Sequence, residues 1–598
     1  MSLQSKKPQP NASAAAVNTV EAKQKQSRTE YIVVNILCLL VFIAFGYVAL
    51  MSFFQTSVID ANNYVSEKIL YQADMIPLNI LFTVLFIAFL FWMRRFYDFF
   101  AKVNMTAVEI GMTALAVFIG LLWVMTVRSV PAADSYNIFE AATDAAQDNY
   151  KSMQNGTDFY NHAFYNGFSY FHFYPFQLGF VAFCELIYRM FGTASSMPVQ
   201  IINVLCVGAA YFALARITKL LFHRKSVEFI ACLLLAACIQ PMLFCTFVYG
   251  NIIGMCCAVW ASLLLIKYFQ TGKYVWAVGS GLLLVLATLI KYNNMIYLVA
   301  FVIMLLVHIV KQKKWQSAVI AVAMIVAVLG SNTLVIQHYA NRSGTEFAEG
   351  VSQTLYLDMG LQESYMAPGW YGTIAKDTYI NYYLAPKFSG NPNASLADAD
   401  AKAKQDIDNR MNKFGSDTEY TLDFFSKKIL SQWNEPTYES IWVSRVKAHT
   451  ATAEDRARVQ GDTIGSEQMK GLPQQVYYKS LGQALELHFN FYMQMLFIMF
   501  AAGLYLMFIN KKTNIETVLL PLVLLGAFGY HLLFEGKSQY ILTYIPLLIP
   551  TAAYAYSVML GGKYTHIKRF FEKVNHIPDE TVDIFQKKKK PSKRSVKK

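Results

Sequence analysis

Charge is scarce in this chain. Only 15% of its 598 residues are Asp, Glu, Lys or Arg, while 55% are hydrophobic. Soluble domains carry about 25% charged residues, so this composition excludes an ordinary soluble protein and points to a membrane. The formal net charge of +13 is concentrated at the two ends. The first thirty residues hold five basic against two acidic side chains, and residues 561–598 hold twelve against four. Such runs are expected to lie solvated beside anionic lipid, and they give no reason to invoke nucleic acid. Disulfide chemistry is lacking too. All eight cysteines fall in apolar segments and none in the long polar stretch, so no disulfide framework is expected, and Cys256-Cys257 has no metal-ligand spacing. A polar lead of thirty residues is too long for the n-region of a cleaved signal peptide. No internal repeat is visible.

What is present is a series of long apolar runs. A helix needs about 20 residues to cross the hydrocarbon core. Twelve segments qualify: roughly 31–53, 75–93, 107–127, 198–221, 227–248, 251–270, 274–290, 293–310, 315–337, 488–509, 514–534 and 539–560. Residues 170–191 are long enough as well, but Pro175, Glu185 and Arg189 interrupt them. The positive-inside rule decides how to treat them. With twelve spans and a cytoplasmic N-terminus, the clusters Arg94-Arg95, His223-Arg224-Lys225, Lys311/Lys313/Lys314 and Lys511-Lys512 all fall inside. A thirteenth span would throw the later clusters outside, so 170–191 is expected to be an interfacial or re-entrant helix. Both termini are then cytoplasmic.

This organisation predicts an all-α polytopic membrane protein. Its parts are a cytoplasmic basic tail (1–30), two leading spans (31–93), a transmembrane core (94–337) containing the extracytoplasmic loop 128–197, an extracytoplasmic cap (338–487), three final spans (488–560) and a polybasic tail (561–598). Within the cap, residues 396–413 read as a polar helix.

Several polar residues converge on the outer side. Pro131 ends a span, and Asp134 or Ser135 then caps a helix over 135–148. Ile138, Ala141, Ala142 and Ala145 form one apolar stripe, which predicts a helix on the membrane surface with Asp134 fixed at its start. A simple N-cap role for Asp134 is the bland alternative. Tyr249 and Asn251 sit at the outer end of a span. Lys291 and Tyr292 end another, and Glu535, Lys537, Gln539 and Tyr540 lie between the last two. Lysines at outer helix ends run against the usual bias and call for a local anion such as a lipid phosphate, unless they merely snorkel.

The ordered set PAADSYNIFEAA, FHFYPFQLGF, FVYGNIIG, ATLIKYNN, MGLQESYMAPGWYGTI, SQWNEPTYESIW and FEGKSQYILTYIP runs from about residue 107 to 555. It resembles the GT-C class of polytopic glycosyltransferases, in particular Gram-positive members related to the protein O-mannosyltransferase and aminoarabinose-transferase group. The two leading spans would be additions to that pattern. The resemblance implies a GT-C-like fold with interfacial helices in the first large outer loop. It also implies transfer of a sugar from a polyprenyl-phosphate donor to a glycan, lipid or protein acceptor outside the cell membrane. By the same resemblance, Asp134 is the general base on the acceptor hydroxyl, and Lys291 and Lys537 hold the donor phosphate. Candidate substrate contacts are Tyr249, Asn251, Tyr292, Glu535, Gln539, Tyr540, His172, Trp370, Trp433 and Glu435, with Trp442 as a further aromatic. The family commonly has a second carboxylate near the position of Asn251. An amide cannot bind metal as an anion, so no essential metal is expected. No second carboxylate stands beside Asp134, which favours inversion over a double displacement. The alternative is a transporter or flippase of lipid-linked saccharides, whose polar groups would be expected at mid-membrane and in repeated halves.

Overall fold

The computed structural model describes residues 28–561, apart from 61–66, 97–98, 100–101, 132–133, 156–164, 194, 313–314 and 444–470. Both basic tails lie almost wholly outside that range. The described residues form an all-α polytopic membrane protein with one small β-hairpin. Helices are labelled α1 Arg28–Phe54, α2 Ile76–Met93, α3 Met105–Val127, α4 Asp134–Ala146, α5 Leu178–Phe191, α6 Met197–Phe222, α7 Lys225–Ala237, α8 Asn251–Thr271, α9 Tyr274–Ile290, α10 Met295–Gln312, α11 Gln316–Ser343, α12 Gln353–Gly360, α13 Leu396–Ser416, α14 Thr418–Trp433, α15 Ser480–Ile509, α16 Ile515–Leu533 and α17 Ile549–Gly561. Shorter turns are named by their residues.

Nine of these (α1, α2, α3, α6, α8, α10, α11, α15, α16) are long and apolar enough to cross a membrane. A tenth candidate is a broken one: α7 and Gln240–Thr246 meet at a bend of 43°. Pro241 starts the second piece, where its missing N–H and fixed φ are tolerated. Of the two remaining expected spans, one forms over the expected range and the other is broken. The α9 helix has 17 residues and stops at Lys291. The segment 539–560 divides into Ser538–Ile541, a 3-10 turn at Ile545–Leu548 and α17, with prolines at 546 and 550.

The leading helices are not equivalent. The α1 helix is built into the bundle. Phe45 meets the rings of Trp433, Phe500 and Phe528, and Glu30 at its start pairs with Lys311 at 3.3 Å. The α2 helix stays peripheral, with apolar side chains such as Leu81, Phe89 and Phe91 facing outward. Between them, the segment expected to be a plain outer loop contains strands β1 Gln55–Ile59 and β2 Ile69–Ala73. They pair antiparallel from Gln55↔Ala73 to Ile59↔Ile69.

The α4 helix forms where expected and buries Ile138, Ala141, Ala142 and Ala145. That stripe does not lie free on a membrane surface. It packs against α5, where the Phe139 and Tyr188 rings meet at 5.4 Å. Pro175 divides 170–191 into the turn Tyr170–Phe173, a 3-10 turn at Pro175–Gln177 and the 14-residue α5, none long enough to span. Glu185 and Arg189, the interrupting charges, are part of a network. Arg189 pairs with Asp148 and Glu185, and Arg342 of α11 reaches both acids, at 3.3 and 2.9 Å. This clamp ties α4 and α5 to the end of α11.

Two glycines let the chain close tightly around the end of α9. A Cβ on Gly179 of α5 would lie 2.2 Å from the Leu289 carbonyl oxygen. Gly250 has φ +82, and its Cβ would lie 2.4 Å from the Ile290 oxygen. Both contacts come just before Lys291. Gly250→Ala is therefore expected to lower the thermal unfolding midpoint in detergent well beyond the effect of Gly192→Ala. Gly192 has φ +92 but open space around it, so alanine there meets only backbone strain of about 1–3 kcal/mol. Equal shifts would show that the contact with Ile290 is not tight.

Candidate active site

The start of α4, the start of α8 and the end of α9 meet at Tyr249, close to the turn that follows α16. Its hydroxyl donates to Asp134 Oδ2 at 3.1 Å, and the Tyr165 hydroxyl reaches Asp134 Oδ1 at 3.5 Å. The Tyr170 hydroxyl lies 3.1 Å from that of Tyr249, and Gln177 donates to Tyr170 at 3.5 Å. Because Tyr249 gives its proton to Asp134, Tyr170 is the donor to Tyr249. Burial first, and the nearby Asp134 charge second, hold the phenols of Tyr165 and Tyr249 well above the ordinary tyrosine range, so they remain donors. Asp134 itself is the first residue of α4, with its carboxylate turned toward these phenols.

The other face of Tyr249 carries a cation. Lys291 Nζ lies 3.5 Å from the Tyr249 ring centroid and 5.8 Å from that of Tyr540, within cation–π range. Lys291 is buried, and among the described residues it makes no ion pair. Burial lowers its pKa to about 7, a fall that the charges of Asp134 and Glu535 resist and that of Lys537 assists. Burial likewise pushes Glu535 up to about 7, with Lys537 opposing and Asp134 assisting. Asp134, Lys291, Glu535 and Lys537 therefore lie within electrostatic reach of one another.

Lys537 is differently placed. Its ammonium is in contact with Glu67 and lies 3.4 Å from Glu439. Burial acts to lower its pKa, but the Glu439 and Glu67 carboxylates outweigh that and hold it above the ordinary lysine value. The faces of Trp442 and Trp370 stand 5.6 and 6.0 Å away. Behind this turn Lys428 of α14 donates to the Phe534 oxygen at 2.9 Å and to the Gly360 oxygen, which fixes the backbone before Glu535.

The other expected contacts divide into two groups. Tyr292 is at the site's edge, its ring 5.1 Å from Phe176. Tyr540 lines the site and stacks on His531 at 5.8 Å. Asn251 donates to the Gln539 main-chain oxygen at 3.3 Å, which ties α8 to the 535–541 turn, while its own side-chain oxygen has no hydrogen-bond partner among the described residues. Three residues are directed elsewhere. His172 is buried beside Phe388 and accepts from the Ala348 N–H at 3.1 Å. Trp433 packs between Phe45 and Phe528 in the core. Glu435 accepts from the N–H groups of Thr437 and Glu439 at 3.0 and 2.9 Å and so caps its own turn. Trp370 is fully buried and donates to Ser431 at 2.9 Å, presenting a face and not its N–H toward Lys537. Tyr165, Tyr170, Glu67 and Glu439 were not singled out from the sequence. The aromatic run FYNGFSYFHFYPF was the available signal for the tyrosines. Glu67 and Glu439 had none, because their importance comes from a lysine far along the chain.

Residues 178–331 match the family model described as dolichyl-phosphate-mannose-protein mannosyltransferase. The match runs from α5 into α11 and includes Tyr249, Asn251, Lys291 and Tyr292. It supports a membrane glycosyltransferase of the GT-C type. No curated protein matches the chain.

A lysine poised near neutrality makes anion binding depend on pH. Binding of a long-chain alkyl phosphate is expected to strengthen as pH falls through about 7, where Lys291 gains its proton. Lys291→Arg, whose guanidinium stays charged, should flatten that dependence relative to wild type. The probe's own titration is common to both proteins. Identical pH profiles would remove Lys291 from the anion site.

Proposed function

We propose that this protein transfers a sugar from a polyprenyl-phosphate donor to a hydroxyl-bearing acceptor on the outer face of the cytoplasmic membrane, inverting the anomeric centre. The observation that carries this is the sharing of Tyr249: its hydroxyl holds a carboxylate while its ring faces an ammonium. One phenol thereby holds a base at its hydroxyl and a cation on its ring.

In this scheme the acceptor oxygen attacks the anomeric carbon and loses its proton to Asp134. The bond from that carbon to the phosphate oxygen breaks, and the electron pair leaves on the lipid phosphate. Lys291 stabilises the growing negative charge in a poorly hydrated setting, where such interactions exceed their strength in water. Lys537 serves the same phosphate from the other side. An apolar groove of about 210 Å³ supports a polyprenyl carrier. It runs between α10 and α16, lined by Ile296, Val299, Ala300, Ile303, Leu522, Gly526 and Tyr530. It begins one turn beyond Lys291 and ends one turn before Glu535. The acceptor is a wall glycan, a lipid or a protein. We place both termini in the cytosol of a Gram-positive cell, with the basic tails against anionic lipid.

Asp134→Asn is expected to lower turnover by about a hundredfold to ten-thousandfold in proteoliposomes while leaving donor binding intact, the usual range for loss of a general base. Undiminished turnover would refute Asp134 as the base, and a transporter would be indifferent to the change. Asn251 supplies an amide where a metal ligand would need an anion, and it is already engaged with Gln539. Excess EDTA is therefore expected to leave turnover unchanged. Loss of activity that a divalent cation restores would overturn the metal-free mechanism.

A further inference from the structure

Lys537 already has two acidic partners in place. One ammonium faces Glu67 and Glu439, whose oxygens fill the place an anionic headgroup would take, and burial pushes the pKa of Glu439 up to about 8. Lys291, by contrast, has an aromatic face and no carboxylate in contact. An arriving phosphate can pair with Lys537 only if one acid yields its place.

The two acids are held very differently. Glu439 is fully buried, and its Oε1 accepts from the Ser538 hydroxyl at 3.1 Å and the Gln539 N–H at 3.3 Å. The same turn that carries Lys537 thus grips Glu439, which makes it a permanent partner. Among the described residues Glu67 has no such anchoring. Its side chain is 17% exposed, and its backbone takes φ 50, a left-handed conformation that L residues adopt at a cost. It directly precedes Lys68 and strand β2. The hairpin that delivers it is fixed at both strands. The Ser57 N–H donates to the Asn434 oxygen and the Ile69 N–H to the Met366 oxygen, each at 2.9 Å, and Ile69 packs on Met366, Ala367 and Trp370.

We propose that Glu67, supplied by the N-terminal hairpin, belongs to the donor site: it occupies the headgroup's place on Lys537 and is exchanged for the phosphate when the donor binds. Lys537 then remains paired throughout, and the acid that leaves is the one nearer solvent. The leading helix pair thereby contributes to the transfer machinery in addition to anchoring the chain. The exchange presupposes the polyprenyl-phosphate donor proposed above.

The test compares binding of polyprenyl phosphate and of uncharged polyprenol to the full chain in nanodiscs. If Glu67 holds Lys537 in about nine molecules of ten, Glu67→Gln tightens phosphate binding about tenfold and leaves polyprenol binding unchanged. Glu67→Asp keeps the charge and stays near wild type. In a Lys537→Ala background, Glu67→Gln has no effect on affinity. Should Glu67→Gln weaken phosphate binding or leave it unchanged while wild type still prefers phosphate to polyprenol, Glu67 is no stand-in for the headgroup and the exchange is wrong. A wild type that binds both lipids alike, with Lys291→Ala and Lys537→Ala also silent, would instead defeat the donor assignment, and the exchange with it.

Discussion

Everything around Tyr249 depends on keeping charge in a place that resists it. Lys291 is buried just past the last residue of a short apolar helix, and its ammonium rests on the face of Tyr249 with no carboxylate in contact among the described residues. Desolvation lowers its pKa to about 7, so the lysine is balanced between two states. A fully paired lysine would have nothing left to offer an incoming anion. A fully neutral one could not attract it. Tyr249 maintains the balance by contributing a ring to the cation and a hydroxyl to Asp134.

That arrangement is only as good as the backbone around it. Gly179 and Gly250 allow α5 and the 249–251 turn to touch the last carbonyls of α9. Asn251 then joins α8 to the turn that bears Lys537, and Lys428 supports the same turn from the cap side. Further out, Arg342 and Arg189 lock the ends of α4 and α5 through Glu185 and Asp148. Asp134 at the start of α4 thus lies on a helix that is tied at both ends.

The two lysines illustrate opposite solutions to one problem. Lys291 tolerates burial by weakening its proton affinity. Lys537 tolerates it by acquiring two carboxylates, one from its own neighbourhood and one from the N-terminal hairpin. Their different availability to an anion follows directly, and so does the functional interest of Glu67.

Much of this was legible in the chain itself. Long apolar runs placed the membrane helices, because hydrophobic length is a local property and lipid demands it. Pro175 with Glu185 and Arg189 marked a long segment that divides into short pieces, and the Ile138–Ala145 stripe marked α4. Asp134, Lys291 and Lys537 stood out as charges at helix ends where charge is unusual. Tertiary structure decided what those charges touch. The stripe of α4 turned inward to α5, Glu435 went to its own turn, and Trp433 and His172 were absorbed into packed interiors. Glu67 and Glu439 acquired meaning only when strands near residue 60 and a turn near residue 440 were brought to Lys537. Helix length and polarity are written in neighbouring residues. The partner of a buried charge is chosen by contacts between segments hundreds of residues apart, and no local pattern records that choice.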